Sequence, residues 1–201
     1  MTPKFNSFTR FAAAGLLSLT TALSAPVSAQ ETATTTDAQT GLDLGTQAEP
    51  RPGERYSKEK IGDWDLACIK TETDEDPCSL LQILTDDSDN PVAEVSVFRL
   101  EGDGPAVAGA TIVVPLEVLL PAQLTIGVDG AAGKRYNYSF CNPVGCYAQI
   151  GFTAEDIEAF KKGGAATVTV VPAPAPDQQV VLEMSLKGFT AGYEKSDVVP
   201  N

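Results

Sequence analysis

The feature that most constrains this chain is a two-residue alternation of apolar side chains that recurs along most of its length. Trp64, Leu66 and Cys68 alternate with Asp63, Asp65 and Ala67; Val180, Leu182, Met184 and Leu186 alternate with Val181, Glu183, Ser185 and Lys187. Successive side chains of a strand point to opposite faces, so this period is that of strands with one face in a core. Leu80 to Leu84 is apolar on both faces and reads as a central strand. Val92 to Leu100 and Ala106 to Val114 read as a hairpin joined by Glu101-Gly102-Asp103-Gly104-Pro105, whose glycines and proline supply turn dihedrals. Leu124, Ile126 and Val128 lead through Asp129-Gly130 to Tyr136, Tyr138 and Phe140, a second hairpin with a longer connection. With Cys146 to Phe152 and Thr167 to Val171 the count reaches about nine strands.

One helix interrupts them. Thr153-Ala154-Glu155-Asp156 has a capping-box arrangement, Lys161 and Lys162 close the last turn, and Gly163 is the stop. Ile157 and Phe160 supply its packing face. Pro172-Ala173-Pro174-Ala175-Pro176 cannot be a central strand, because its prolines lack an amide proton. Many short strands and a single helix predict an all-β fold, mainly antiparallel: a β-sandwich of about nine strands with one short helix.

The ends of the chain differ from this periodic part. Lys4 and Arg10 precede an apolar run from Phe11 to about Ala25, followed by Val27-Ser28-Ala29. That run is shorter than the roughly 20 residues a spanning helix needs, and its small-residue end suits a signal peptidase. The expected organisation is therefore a signal peptide over 1–29, a flexible spacer rich in Thr, Ala and Pro over 30–57, a domain over 58–193 and a disordered tail over 194–201. Removing Lys4 and Arg10 takes the formal charge from −13 to −15. No later stretch is apolar enough to span a bilayer, so no transmembrane segment is expected after cleavage.

Several function classes are excluded or weakened by composition. A charge of −13 opposes nucleic acid as a partner, because phosphate binding needs clustered cations. The chain has no histidine, which removes Ser-His-Asp and Cys-His catalysis and imidazole metal ligation. The acidic runs Glu72-Thr73-Asp74-Glu75-Asp76 and Asp86-Asp87-Ser88-Asp89-Asn90 read as solvated turns, since neither fits a calcium loop. Gly102, Gly104, Gly130 and Gly133 fall in hairpin turns and make no phosphate-binding motif. No catalytic, cofactor or metal site is assigned.

Cys68, Cys78, Cys141 and Cys146 are an even set in a chain marked for export, where thiols oxidise. Asn142-Pro143-Val144-Gly145 is a turn sequence that brings Cys141 close to Cys146, leaving Cys68 for Cys78. Cross-pairing between the two segments is the alternative. Trp64, Arg135, Tyr136 and Tyr138 form the candidate binding surface, against a competing reading in which the aromatics are half-buried sheet residues.

Gly62-Asp63-Trp64 followed by Cys68, Cys78 and Gln82, then Val113 to Pro121, Val128-Asp129-Gly130, Gly145-Cys146 and Ser185 to Ala191, together resemble the bacterial invasion-associated locus B family. The sequence departs from that pattern at Pro121-Ala122-Gln123 and in its Thr-rich spacer. The resemblance implies an exported, periplasmic or surface-associated β-sandwich protein, linked in some members to virulence through host-cell invasion, and it implies no catalytic residues. The expectation is a non-enzymatic envelope protein, periplasmic and possibly displayed or secreted, whose unknown partner is a protein or glycan of the envelope or a host cell. Two rivals stand beside it. One is an envelope glycan hydrolase using carboxylates such as Asp63, Asp65, Glu94 or Asp129. The other is a chaperone-like structural protein that captures extended chains on a strand edge.

Overall fold

The computed structural model describes residues 45–73 and 75–200. The expected signal peptide and most of the expected spacer lie outside the described residues. Residues 48–201 form one unit. Its strands, in chain order, are β1 (Arg55–Ile61), β2 (Trp64–Ile69), β3 (Cys78–Thr85), β4 (Pro91–Glu101), β5 (Ala108–Val114), β6 (Leu124–Val128), β7 (Lys134–Tyr136), β8 (Phe140–Asn142), β9 (Gly145–Phe152), β10 (Ala165–Val170), β11 (Val180–Ser185) and β12 (Val198–Pro200). Helix α1 (Ala154–Lys162) follows β9 and α2 (Phe189–Lys195) follows β11.

Two sheets result. The larger runs β1-β2-β3-β4-β5-β9-β8, antiparallel throughout, with β12 added parallel to the end of β4. The smaller runs β11-β10-β6-β7. The alternation in the sequence becomes a two-faced sheet: Leu80 and Leu84, Val95 and Val97, Ala110 and Ile112, Ala148 and Ile150 are all buried between the layers. From the opposite side come Leu124, Ile126, Val168, Leu182 and Met184. A chain of edge-to-face rings passes through this core, from Trp64 to Phe189, Phe160, Phe152 and Tyr136, with centroids 5.0–6.2 Å apart. The all-β sandwich expected from the sequence is the observed fold.

The strand count rises from nine to twelve for three local reasons. The run from Tyr136 to Phe140 is split, because β7 pairs with β6 in the small sheet and β8 with β9 in the large one. The chain thus changes sheets at 137–139 and closes one side of the sandwich. Strand β1 comes from charged sequence (Arg-Tyr-Ser-Lys-Glu-Lys-Ile) at a sheet edge, so the expected spacer ends before residue 55. The expected tail is a correction as well: Arg99 donates twice to the Ser196 carbonyl, Asp197 exchanges hydrogen bonds with Cys78, and β12 completes the position beside β4 where β3 runs out.

Helix α1 carries the capping box read from its sequence: Asp156 N–H donates to the Thr153 hydroxyl, and Thr153 N–H donates to Asp156 Oδ2. Helix α2 is an addition that alternation could not show, since Leu186-Lys187-Gly188-Phe189 reads as the end of a strand. Gly188 has φ +89° and lies against Gly62, φ +63°, in the β1–β2 turn. A Cβ on either would collide with the backbone around the other, so both the left-handed conformation and the close approach require glycine.

Candidate functional site

Part of the residues quoted for the family likeness, Gly62-Asp63-Trp64, Gln82 and Ser185 to Gly188, assembles at this glycine contact. Trp64 Nε1 donates to the Ser185 carbonyl at 2.8 Å, and Ser185 Oγ donates to Asp63 at 2.7 Å. The buried Gln82 side chain accepts from Ser185 N–H at 2.9 Å and donates to the Ser185 carbonyl at 3.1 Å, as a neighbouring strand would. It also donates to the Asp63 carbonyl. This amide therefore covers the end of the β11 edge, where an open backbone would otherwise invite pairing. Nothing here is left over for a ligand.

The expected surface of Trp64, Arg135, Tyr136 and Tyr138 does not exist as one surface. Trp64 is 0% exposed. Tyr136 and Tyr138 are half-buried and pack on the core, and burial pushes the Tyr138 phenol up to about 12. Arg135 is exposed, but at period two it points to the opposite face of β7 from Tyr136. The competing reading of the aromatics as sheet residues is the one observed.

The acids named for hydrolysis are each engaged with different groups. Asp63 meets Ser185 and Lys187, Asp65 meets Ser57 and Lys60, Glu94 meets Arg55, and Asp129 accepts from the amides of Gly164 and Ala165. None shares a partner with another. Asp86 accepts from Ser88 and Asn90 and is consumed by its own turn. Among the described residues no group of three or more acids or cysteines is placed to hold a metal ion.

A concave surface appears elsewhere, on the outer face of the large sheet. Its register sets Ile83 opposite Glu94, Glu94 opposite Val113, Val113 opposite Tyr147 and Tyr147 opposite Phe140, one straight row across five strands. The next row on the same face is Leu81, Ser96, Thr111 and Gln149. An apolar row thus lies beside a mostly polar one. Ile83 is 46% exposed and Phe140 48%, although the pattern of β3 would make either face look like core.

Both ends of this row are raised into walls. Arg55 Nη1 lies 2.8 Å from both carboxylate oxygens of Glu94. Strands β1 and β4 are three positions apart, about 14 Å in a flat sheet, too far for an arginine side chain to bridge. The sheet is therefore coiled, and the start of β1 overhangs its outer face. At the other end the β8–β9 turn projects Val144, 75% exposed. That turn is fixed twice: Asn142 Oδ1 accepts from the amides of Val144 and Gly145, and a disulfide joins Cys141 to Cys146. Phe140 and Tyr147 stack beside it with centroids 4.7 Å apart. The trough between these walls has a volume of about 670 Å³.

The second disulfide joins Cys68 to Cys78. Each bond links residues directly opposite on adjacent strands, with Cα atoms 4.0 Å apart, so the local pairing is the observed one. Two closed disulfides are the mark of an oxidising compartment. Among the described residues no helix is long and apolar enough to cross a membrane.

The class these features define is a disulfide-stapled β-sandwich with an open trough on one sheet. The family model for invasion associated locus B protein matches residues 64–197, and the chain belongs to that family. Invasion protein B homologs from two Brucella abortus strains, 2308 and biovar 1 strain 9-941, are each 28% identical over 138 residues, covering 69% of this chain and 78% of theirs. The crystal structure of invasion associated protein b from Bartonella henselae is similar at TM-score 0.57 and 26% identity, over 68% of this chain and 92% of that one. Family and disulfides together make this an extracytoplasmic protein.

Proposed function

We propose that this protein is a non-enzymatic binding protein of the cell envelope, periplasmic or displayed at the surface, that holds an extended segment of a partner protein in the outer-face trough. The row Ile83, Val113, Tyr147 and Phe140 carries the reading. A covering chain would bury apolar groups along this row and find hydroxyl and amide partners in Ser96, Thr111 and Gln149 beside it. The walls are set by the Arg55–Glu94 pair and the Cys141–Cys146 staple, so little ordering is left for the moment of binding. The separate engagement of Asp63, Asp65, Glu94 and Asp129 supports binding over glycan hydrolysis. The relatives' names associate those proteins with invasion.

The test places a photo-crosslinking side chain at Thr111 in the exported protein and compares adducts with and without Ile83→Lys. A discrete envelope or host-surface protein captured by the first and lost in the second is the expected result. Identical adducts in both, or turnover of an envelope glycan by the pure protein, would overturn the proposal.

A further inference from the structure

A second cavity, of about 290 Å³, opens between the first turns of α1 and the β6–β7 hairpin, sharing no lining residue with the trough. Its floor is apolar, with Phe152 and Phe160 set edge to face at 5.0 Å and Val128 beside them. Its mouth is polar. Lys134 Nζ lies 2.6 Å from Asp156 Oδ1, while Asp156 Oδ2 accepts from Thr153 in the capping box. Glu155 and the Tyr136 phenol also line the cavity; among the described residues neither makes a hydrogen bond or a close ion pair, and both feel the Lys134 ammonium at longer range.

We infer that this cleft binds a small amphipathic amine, a single ring or short alkyl chain carrying a protonated nitrogen. The volume sits at the lower end of small-molecule sites, which limits the body to about one ring. Phe152, Phe160 and Val128 receive that body, and the Glu155 carboxylate, which makes no close ion pair, receives the ammonium with the Tyr136 oxygen. Two carboxylates against one ammonium give the mouth a net negative charge, and the chain's −13 draws cations from solution. An anionic head would have to part Lys134 from Asp156, which also caps α1. Glu155 and Asp156 in the first turn already offset the positive end of that helix. Burial and then the Asp156 charge raise the Tyr136 pKa, so the phenol remains neutral.

Benzylammonium, benzyl alcohol and benzoate are three probes of one shape and three charges. Titrated at low salt into the oxidised, exported protein and followed by amide chemical shifts, benzylammonium should give saturable changes around Val128, Ala131 and Phe152. Benzyl alcohol should bind more weakly and benzoate not at all. Glu155→Gln, on an exposed helix turn, should weaken benzylammonium about threefold, and Ala159→Leu should fill the cleft and abolish binding. Equal binding of benzoate or benzyl alcohol, no saturation with any probe, or unchanged affinity in Ala159→Leu would overturn the inference.

Discussion

Where the β1–β2 turn meets the start of α2, Asp63, Trp64, Gln82 and Ser185 all have partners; on the outer face of the large sheet, apolar side chains end in solvent. At the first place Trp64, Gln82 and Ser185 exchange hydrogen bonds in a space that two glycines make possible. At the second, Ile83 and Val144 touch little of their own chain. Part of the motifs by which the family is recognised, Gly62-Asp63-Trp64, Gln82 and Ser185 to Gly188, sits at the first place, and is there for geometry: positive φ, a ring that fills, an amide that imitates a strand. The trough is made of ordinary valines, an isoleucine and hydroxyls whose identity matters only to whatever covers them. A family likeness here is evidence of a shared scaffold, and it leaves the specificity of the surface to be measured.

The comparison breaks most directly at Trp64. Trp64→Ala empties a fully buried site against Phe189 and removes the donor to Ser185. A loss of about 3–5 kcal/mol is expected in chemical denaturation. A loss under 1 kcal/mol would mean that the junction is not the anchor of the fold. The paired change Cys141→Ser with Cys146→Ser comes next, at about 2 kcal/mol by the loop-entropy relation. Because β8 is three residues long and, among the described residues, pairs only with β9, its release should also weaken trough binding. Binding that survives the change would place the contact away from the Val144 wall.

How much of this was legible follows from the kind of constraint each element obeys. The inner faces of β3, β4, β5, β9 and β10 obey burial alone, so alternation found them, and the α1 cap was readable because Thr153 and Asp156 act within one turn. Helix α2 and β12 depend on distant partners, Gly62 and Ile61 for one and Cys78 and Arg99 for the other, and no local pattern announces those. The trough was half visible. Leu80 to Leu84 is apolar on both faces and is central, as expected, but a second layer covers only one of them. The aromatic surface failed for the same reason in reverse, since Trp64 looks equally suited to core and to display.

A smaller effect distinguishes polar support from apolar support near the Cys68–Cys78 disulfide. Asp76 accepts from the Thr71 amide, then from Tyr56 and Lys70, and these hold its carboxyl well below the usual range, the amide contributing most. A depressed folded-state pKa stabilises the protein above the unfolded value of about 4, and the contribution is lost as pH falls from there toward the folded value. Asp76→Asn should therefore be less stable than the parent at pH 6, with the gap closing below about pH 4. A gap independent of pH would assign the loss to packing instead of charge.

The smallest stability effect is expected where the binding effect should be largest. Ile83→Lys exchanges a half-exposed apolar group for a cation directly opposite Glu94 on the neighbouring strand. A surface change of that kind ordinarily moves stability by no more than about 0.5 kcal/mol, and the cross-strand charge pair offsets part of the lost packing. The same change sets a solvated ammonium in the middle of the apolar row, where a partner would have to desolvate it. Unchanged denaturation with lost crosslinking from Thr111 is thus the signature of a surface kept for a partner. A destabilisation above about 2 kcal/mol would show that Ile83 belongs to the core and that both regions serve folding.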